Sequence, residues 1–148
     1  TSSDMVQMVG GIDNAPLAFG ANCGTGASDI LRTTLGFAAQ GTEMPIIAKG
    51  NAGIPKYHDG HIHYDGTPEL MADYAVLARD CGARIIGGCC GTMPAHLRAM
   101  REALETRPKG ERPTLEKIVE ALGPFTSESD GTGDNAAPKR ERRGRRKS

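Results

Sequence analysis

The sequence lacks the features that direct a chain into or across a membrane. No apolar run approaches the roughly 20 residues that a membrane-spanning helix needs. No charged segment followed by an apolar one opens the chain, so no secretory signal is visible. Without that signal, its four cysteines are expected in a reducing compartment, where clustered thiols more often bind metals or act in catalysis than form disulfides. We therefore expect a cytoplasmic protein with no membrane partner. The start at Thr1 rather than methionine also suggests missing upstream sequence.

The chain also has no formal net charge at pH 7, because 18 Lys and Arg balance 18 Asp and Glu. The charges are unevenly distributed along the chain. Residues 139–148 carry seven basic residues and one acidic residue, against 11 basic and 17 acidic in residues 1–138. From Ser127 onwards the composition turns to Ser, Gly, Asp, Asn and Pro and then to arginine, which predicts a disordered tail over 124–148. A solvated terminus and a contact with nucleic acid or an acidic surface both remain open for this tail. We favour the solvated terminus.

Residues 1–123 show an order of strand and helix that repeats three times. Apolar strands are predicted at 17–21, 45–50 and 83–88, and an amphipathic helix follows each of them. Strands without polar alternation fit a parallel sheet that is covered on both faces. The expected helix caps are Ser28, Thr67, Thr92 or Met93 and, for a short last helix, Thr114. The third helix is expected to turn Leu97, Met100 and Leu104 inward.

This order is typical of a (β/α) barrel, whose sites lie on the loops at the carboxyl ends of its strands. A complete barrel has eight units and about 250 residues, so three units cannot close one. An open arc would expose unpaired strand edges. We therefore predict an α/β domain over 1–123 that forms the C-terminal three units of an incomplete (β/α)8 TIM barrel, within a larger barrel or completed by a partner chain. A small doubly wound sheet is the remaining alternative.

The residues with the most distinctive chemistry follow the strands. Cys89 and Cys90 come directly after the third strand, in Gly87-Gly88-Cys89-Cys90-Gly91-Thr92, and Cys23 follows the first strand. The flanking glycines give the backbone the freedom that two adjacent ligands need. Because neighbouring strand ends converge at a barrel mouth, three thiolates can meet around one zinc ion and leave its fourth position open. We predict Cys23, Cys89 and Cys90 as ligands of Zn²⁺.

For two other groups of residues we favour a structural role over a functional one. Cys81 lies on the inner stripe of a predicted helix and is expected to be a core residue. The polar loop at 56–66 holds His58, His61 and His63, and a hairpin-like loop at the barrel mouth is favoured over a second metal site. A disulfide between Cys89 and Cys90 is an alternative that a reducing compartment disfavours.

The segments Ile85–Thr92 and Gly20–Cys23 resemble the zinc-binding signature of the homocysteine S-methyltransferase family, which includes betaine–homocysteine methyltransferase and the homocysteine-binding domain of cobalamin-dependent methionine synthase. The segments 51–55 and 67–75 are similar to it too, and the similarity spans about residues 15–105. The resemblance implies a (β/α)8 barrel with Zn²⁺ on the three matching cysteines. It implies homocysteine and a methyl donor (betaine, another methylated compound or a corrinoid) as partners.

The implied reaction is attack of a zinc-bound homocysteine thiolate on the donor's methyl group, which gives methionine. The family's first five strands, which carry most contacts to the amino acid part of homocysteine and to the methyl donor, have no counterpart in this sequence. The alternative function is therefore a truncated, non-catalytic zinc-binding fragment that acts only through assembly with another chain.

Overall fold

The structure is a computed structural model that describes residues 1–23 and 26–129. The predicted tail from residue 130 onwards, with its basic run, lies outside the described residues. In chain order the elements are α1 (Ser2–Gly10), β1 (Phe19–Asn22), α2 (Ala27–Ala39), β2 (Ile46–Gly50), β3 (Pro55–His58), β4 (His61–Tyr64), α3 (Pro68–Cys81), β5 (Ala83–Gly88), α4 (Pro94–Thr106) and α5 (Leu115–Leu122).

A parallel sheet of three strands, in the order β1-β2-β5, organises the fold. Ala48 of the central strand lies opposite Ala21 on one side and Ile86 on the other. Along the chain α2 follows β1 and α4 follows β5, whereas the β3–β4 hairpin lies between β2 and α3. Since the strands are parallel, their carboxyl ends meet at one edge of the sheet. This mixed α/β arrangement is consistent with part of a barrel, and the barrel itself stays a prediction.

The main core lies between the sheet and the helices that follow it. Leu31, Met71, Tyr74 and Ile118 are each fully buried there. The Tyr74 hydroxyl accepts a hydrogen bond of 2.8 Å from the Gly50 amide, so α3 is anchored to the carboxyl end of β2. None of the helices within the described ranges is long and apolar enough to cross a membrane.

A second, smaller cluster attaches α1 to the rest of the fold. It contains Val9, Phe19, Phe37 and Ile46. The rings of Phe19 and Phe37 lie with their centroids 5.1 Å apart and their planes tilted by 57°, a favourable geometry for two aromatic side chains. The cluster therefore joins α1, α2 and the amino ends of two strands.

The helix caps match the predictions in most places. Thr67 accepts a hydrogen bond from the Leu70 amide, Thr114 accepts one from the Lys117 amide, and Met93 is the N-cap of α4. The prediction for Ser28 is wrong: Gly26 is the N-cap of α2. Ser28 lies inside the helix, buried, and its hydroxyl donates to the Gly123 carbonyl at 2.7 Å.

The inward face of α4 was also predicted incorrectly at one position. Leu97 is 50% exposed, whereas Met100 and Ala103 are buried. The face of α4 that becomes buried is the one in contact with α3, and Leu97 lies near the exposed start of the helix. Periodicity alone does not indicate how far along a helix its partner extends.

The chain after α5 is attached to α2 by a buried carboxylate. Asp29 accepts hydrogen bonds from the Thr126 amide at 2.9 Å, the Thr126 hydroxyl at 2.8 Å and the Ser127 amide at 3.3 Å. Arg32 donates to Asp29 at 2.9 Å, and its guanidinium lies 4.3 Å from the centroid of the Phe125 ring. These contacts involve the first residues of the segment predicted as a tail.

We expect Asp29→Asn to destabilise the protein at neutral pH by about 1–3 kcal/mol, because charged hydrogen bonds are lost in a buried place. Burial by itself raises the pKa of Asp29, but the hydrogen bonds from Thr126 and Ser127 and the charge of Arg32 outweigh it and hold the pKa below its ordinary value of 3.8. The stability that this carboxylate contributes is therefore present above pH 3.8 and is lost as the pH falls through the lower folded pKa.

Urea unfolding of the wild type and of Asp29→Asn at several pH values checks this expectation. The difference in unfolding free energy should narrow as the pH falls below about 4. Asp13→Asn is the matched control, since Asp13 is exposed. A difference of the same size at pH 7 and pH 3 would contradict the role given to the Asp29 charge.

Candidate metal centre

Three cysteine sulfur atoms meet at the carboxyl edge of the sheet. The Cys23 and Cys90 sulfurs are 3.4 Å apart and the Cys89 and Cys90 sulfurs are 3.9 Å apart. All three lie within 4.8 Å of one another. The structure thus brings together the three residues that the sequence predicted as ligands, although 67 positions separate Cys23 from Cys90.

The parallel register explains how distant cysteines come together. Beyond the end of β1, the Cys23 amide donates to the Lys49 carbonyl at 3.0 Å. Beyond the end of β5, the Cys89 amide donates to the Gly50 carbonyl at 2.8 Å. Both cysteine loops therefore continue the hydrogen bonding onto the same strand, β2, from its two sides. The position of each loop is set by the sheet.

The backbone at the cluster adopts conformations that ordinary residues avoid. Cys23 has a φ of 56°, which is in the left-handed region and costs a non-glycine residue about 1–3 kcal/mol. Gly91 has a φ of 75°. At Gly88 a Cβ atom would lie 2.2 Å from the Thr92 hydroxyl oxygen, so any side chain there would displace Thr92. Strain of this kind concentrates at functional sites.

The donor set and its spacing fit Zn²⁺. Zinc prefers thiolate sulfur at about 2.3 Å in tetrahedral geometry, which places neighbouring sulfurs about 3.8 Å apart. The spacings in the cluster lie close to that value. Three protein ligands would leave one position for a substrate, as in catalytic zinc sites.

The Cys90 thiol resists ionisation when no cation is bound. The pKa of Cys90 is raised, first by its hydrogen bond with Cys23 and also by that with Cys89, while a hydrogen bond from Tyr64 acts in the opposite direction. The same contact with Cys90 is the main reason that the pKa of Tyr64 is raised. A bound cation would remove this resistance, because a metal deprotonates the thiols that coordinate it.

Tyr64 is a contact of the cluster that the sequence reasoning missed. It ends β4, in a segment read only as a polar loop. Tyr64 is half-buried although its neighbours in β4 are exposed, and this difference arises from tertiary packing. No spacing in the sequence indicates it.

The remaining candidates lie apart from the sulfur cluster. Within the described ranges, the three cysteines are the one group of His, Cys, Asp and Glu side chains close enough to hold an ion. His58, His61 and His63 lie on the exposed antiparallel hairpin of β3 and β4, so the predicted hairpin is present. Cys81 is fully buried in the core, as predicted, and burial raises its pKa to about 12.

Comparison with known proteins agrees with this geometry. The homocysteine S-methyltransferase family matches residues 1–104, a span that includes all three clustered cysteines. The chain belongs to the homocysteine S-methyltransferase family. The resemblance seen in the Gly-Gly-Cys-Cys-Gly segment is thereby confirmed.

A methionine synthase from Mycobacterium tuberculosis (strain ATCC 25618 / H37Rv) is 28% identical to this family member over 116 residues. The similar region covers 74% of this chain and 10% of the methionine synthase. The chain therefore spans about a tenth of the length of that curated relative.

Proposed function

We propose that this chain is the zinc-holding part of a homocysteine S-methyltransferase, which transfers a methyl group to the thiol of homocysteine and forms methionine. The observation that carries the proposal is the meeting of the Cys23, Cys89 and Cys90 sulfurs within the residues that match the family. A free thiol has a pKa of about 8.5 and is mostly protonated at neutral pH, so its methylation needs a group that keeps it ionised.

In this proposal Cys23, Cys89 and Cys90 hold Zn²⁺ as thiolates. Zinc bound there would supply the positive charge that keeps the homocysteine thiol deprotonated and nucleophilic. The chain's own main-chain hydrogen bonds, from Cys23 to Lys49 and from Cys89 to Gly50, place the ligands in advance. That preorganisation reduces the entropy lost when the site forms. The methyl group would come from a sulfonium, ammonium or corrinoid donor.

The sheet edges favour a second candidate function. Within the described part of the chain, β1 and β5 each pair only with β2, so both edges of the sheet lack a neighbour there. Ile85 of β5 is also 49% exposed. Parallel sheets are normally covered and flanked by further structure. This supports a zinc-binding fragment that acts only when another chain, or further barrel units, completes the sheet.

Cobalt substitution tests the first function directly, because Co²⁺ complexes with thiolates are coloured. The Co²⁺-loaded chain should show a sulfur-to-cobalt absorption band that strengthens in a saturable way when homocysteine is added. Methionine is the matched control, since its sulfur is already methylated and cannot ionise. A methionine-formation assay with candidate donors then shows whether the chain acts alone.

The outcomes separate the two functions. A response to homocysteine together with methionine formation supports a catalytic chain. Cobalt binding without any response to homocysteine would remove homocysteine as the substrate and favour the zinc-binding fragment, whose assembly light scattering can measure.

A further inference from the structure

The β3–β4 hairpin is attached to the rest of the chain at its base. Its strands are exposed at every position except the last, and Tyr57 is 77% exposed. At the base, the backbones of Gly53 and Gly66 approach each other closely. A Cβ atom on Gly66 would lie 2.4 Å from the Gly53 nitrogen, and one on Gly53 would lie 2.5 Å from the Gly66 nitrogen. The loops that follow β2 and β4 therefore meet there.

A circuit of hydrogen bonds joins these two loops to the cysteine turn. The Ala52 amide donates to the Cys90 carbonyl, and the Gly66 amide donates to the Ala52 carbonyl, each at 2.9 Å. The Gly66 carbonyl lies 2.8 Å from Nε2 of His96, which is in the first turn of α4. Nδ1 of His96 lies 2.9 Å from the Met93 amide nitrogen. The circuit thus leaves the main chain at Cys90 and returns to it just beyond the turn.

The two contacts of His96 decide which ring nitrogen carries the proton. The Met93 amide is a donor, so Nδ1 accepts from it and the proton lies on Nε2. Nε2 therefore donates to the Gly66 carbonyl, which can only accept. Every other member of this circuit is a main-chain group, so the half-buried imidazole is its one side chain. The circuit can therefore be opened by substitution at His96.

We propose that His96 is a positioning residue of the metal centre: its Nε2–H holds Gly66 and, through Ala52, fixes the main chain of Cys90 and the place of its sulfur in the cluster. The inference rests on the proposed zinc site. Groups outside the ligand set orient the ligands, and their loss lowers metal affinity. Because His96 acts through the main chain, we expect its bond to be worth about 2- to 10-fold in zinc affinity, the contribution of one hydrogen bond.

Two substitutions separate the bond to Gly66 from the bond to Met93. In His96→Asn the side-chain oxygen takes the place of Nδ1 and still accepts from the Met93 amide, but no donor reaches the Gly66 carbonyl. In His96→Gln the side-chain nitrogen takes the place of Nε2 and still donates to Gly66, but the acceptor at Nδ1 is lost. Zinc affinity, measured by competition with a chromophoric chelator, should fall about 2- to 10-fold in His96→Asn and stay close to the wild-type value in His96→Gln.

His63→Asn is the matched control, because it removes an exposed imidazole from the same hairpin and should leave zinc affinity unchanged. In the Co²⁺-loaded chain, the sulfur-to-cobalt band should change in His96→Asn alone, since only this variant releases the main chain of Cys90. Urea unfolding in the presence of a chelator measures the stability of each variant without metal. His96→Gln should be the less stable of the two His96 variants, because it loses the side-chain acceptor at the start of α4.

Each outcome gives a decision. Weaker zinc binding in His96→Asn, together with wild-type zinc binding in His96→Gln, supports the inference. A merely structural role would lower zinc affinity in step with stability, and hence most in His96→Gln, and that result overturns the inference. A His96→Asn protein that matches the wild type in zinc affinity also overturns it; if the wild type then binds one zinc and responds to homocysteine, the proposed function stands. If the wild type itself binds no zinc, the proposed function and this inference both fail.

Discussion

Replacing Cys89 with serine is expected to remove zinc from the protein. The Cys89 sulfur lies 3.9 Å from the Cys90 sulfur in the cluster, and a serine hydroxyl is a much weaker zinc ligand than a thiolate. The loss of affinity should exceed the roughly 10- to 100-fold loss that follows removal of a partner outside the ligand set. Elemental analysis after dialysis against a chelator should fall from about one zinc per chain to almost none.

Cys81→Ala is the matched control for this experiment. It also leaves three cysteines, but it removes the one buried in the core rather than one in the cluster. The control should keep its zinc, since the side chain that it loses contacts apolar neighbours. A Cys89→Ser protein with a full complement of zinc would show that the ligand assignment is wrong.

Tyr74→Ala should be the most destabilising single substitution proposed for this fold. The ring of Tyr74 is fully buried, and large-to-small changes of buried aromatic residues cost about 3–5 kcal/mol. Domains of this size have unfolding free energies of about 5–15 kcal/mol, so the variant should retain only a small part of the stability of the folded state. Urea unfolding in the presence of a chelator measures the effect on the protein without a contribution from metal.

Tyr74→Phe separates the hydroxyl from the ring. Without the hydroxyl, the Gly50 amide loses its partner in a buried place, which costs about 1–3 kcal/mol. The carbonyl of Gly50 accepts from the Cys89 amide, so the variant should also loosen the cysteine turn. Tyr57→Phe is the control and should change the unfolding free energy by less than about 0.5 kcal/mol. Equal stabilities for Tyr74→Phe and Tyr57→Phe would argue against the anchoring of α3 through Gly50.

The elements predicted correctly from the sequence are those with strong local signals. The third strand was predicted over 83–88, and β5 has those bounds. The preceding helix was predicted to begin after Thr67 and to stop at Gly82, where the structure has a side-chain cap and a left-handed glycine. Hydrogen bonds and steric limits within a few residues decide such features, so a short stretch of sequence contains the information.

The errors occur where a distant segment decides the outcome. Ser28 has the chemistry of a cap, yet its hydroxyl bonds to Gly123, which is 95 positions away. Leu97 has the right spacing for the core, yet the contact of α4 with α3 leaves it half exposed. Tyr64 packs on Gly91 only because the hairpin folds back beside the cysteine turn.

The sequence by itself determined which chemistry is available: three thiols after strands, each with a glycine next to it in the chain. Only the tertiary structure decided that their sulfurs meet within 4.8 Å and that the Tyr64 ring packs on Gly91 beside them. The physical reason is that residue types and spacing set local conformation and donor identity. The distance between remote side chains depends instead on parallel register, because β2 must pair with β1 and β5 at once before both cysteine loops reach the same edge.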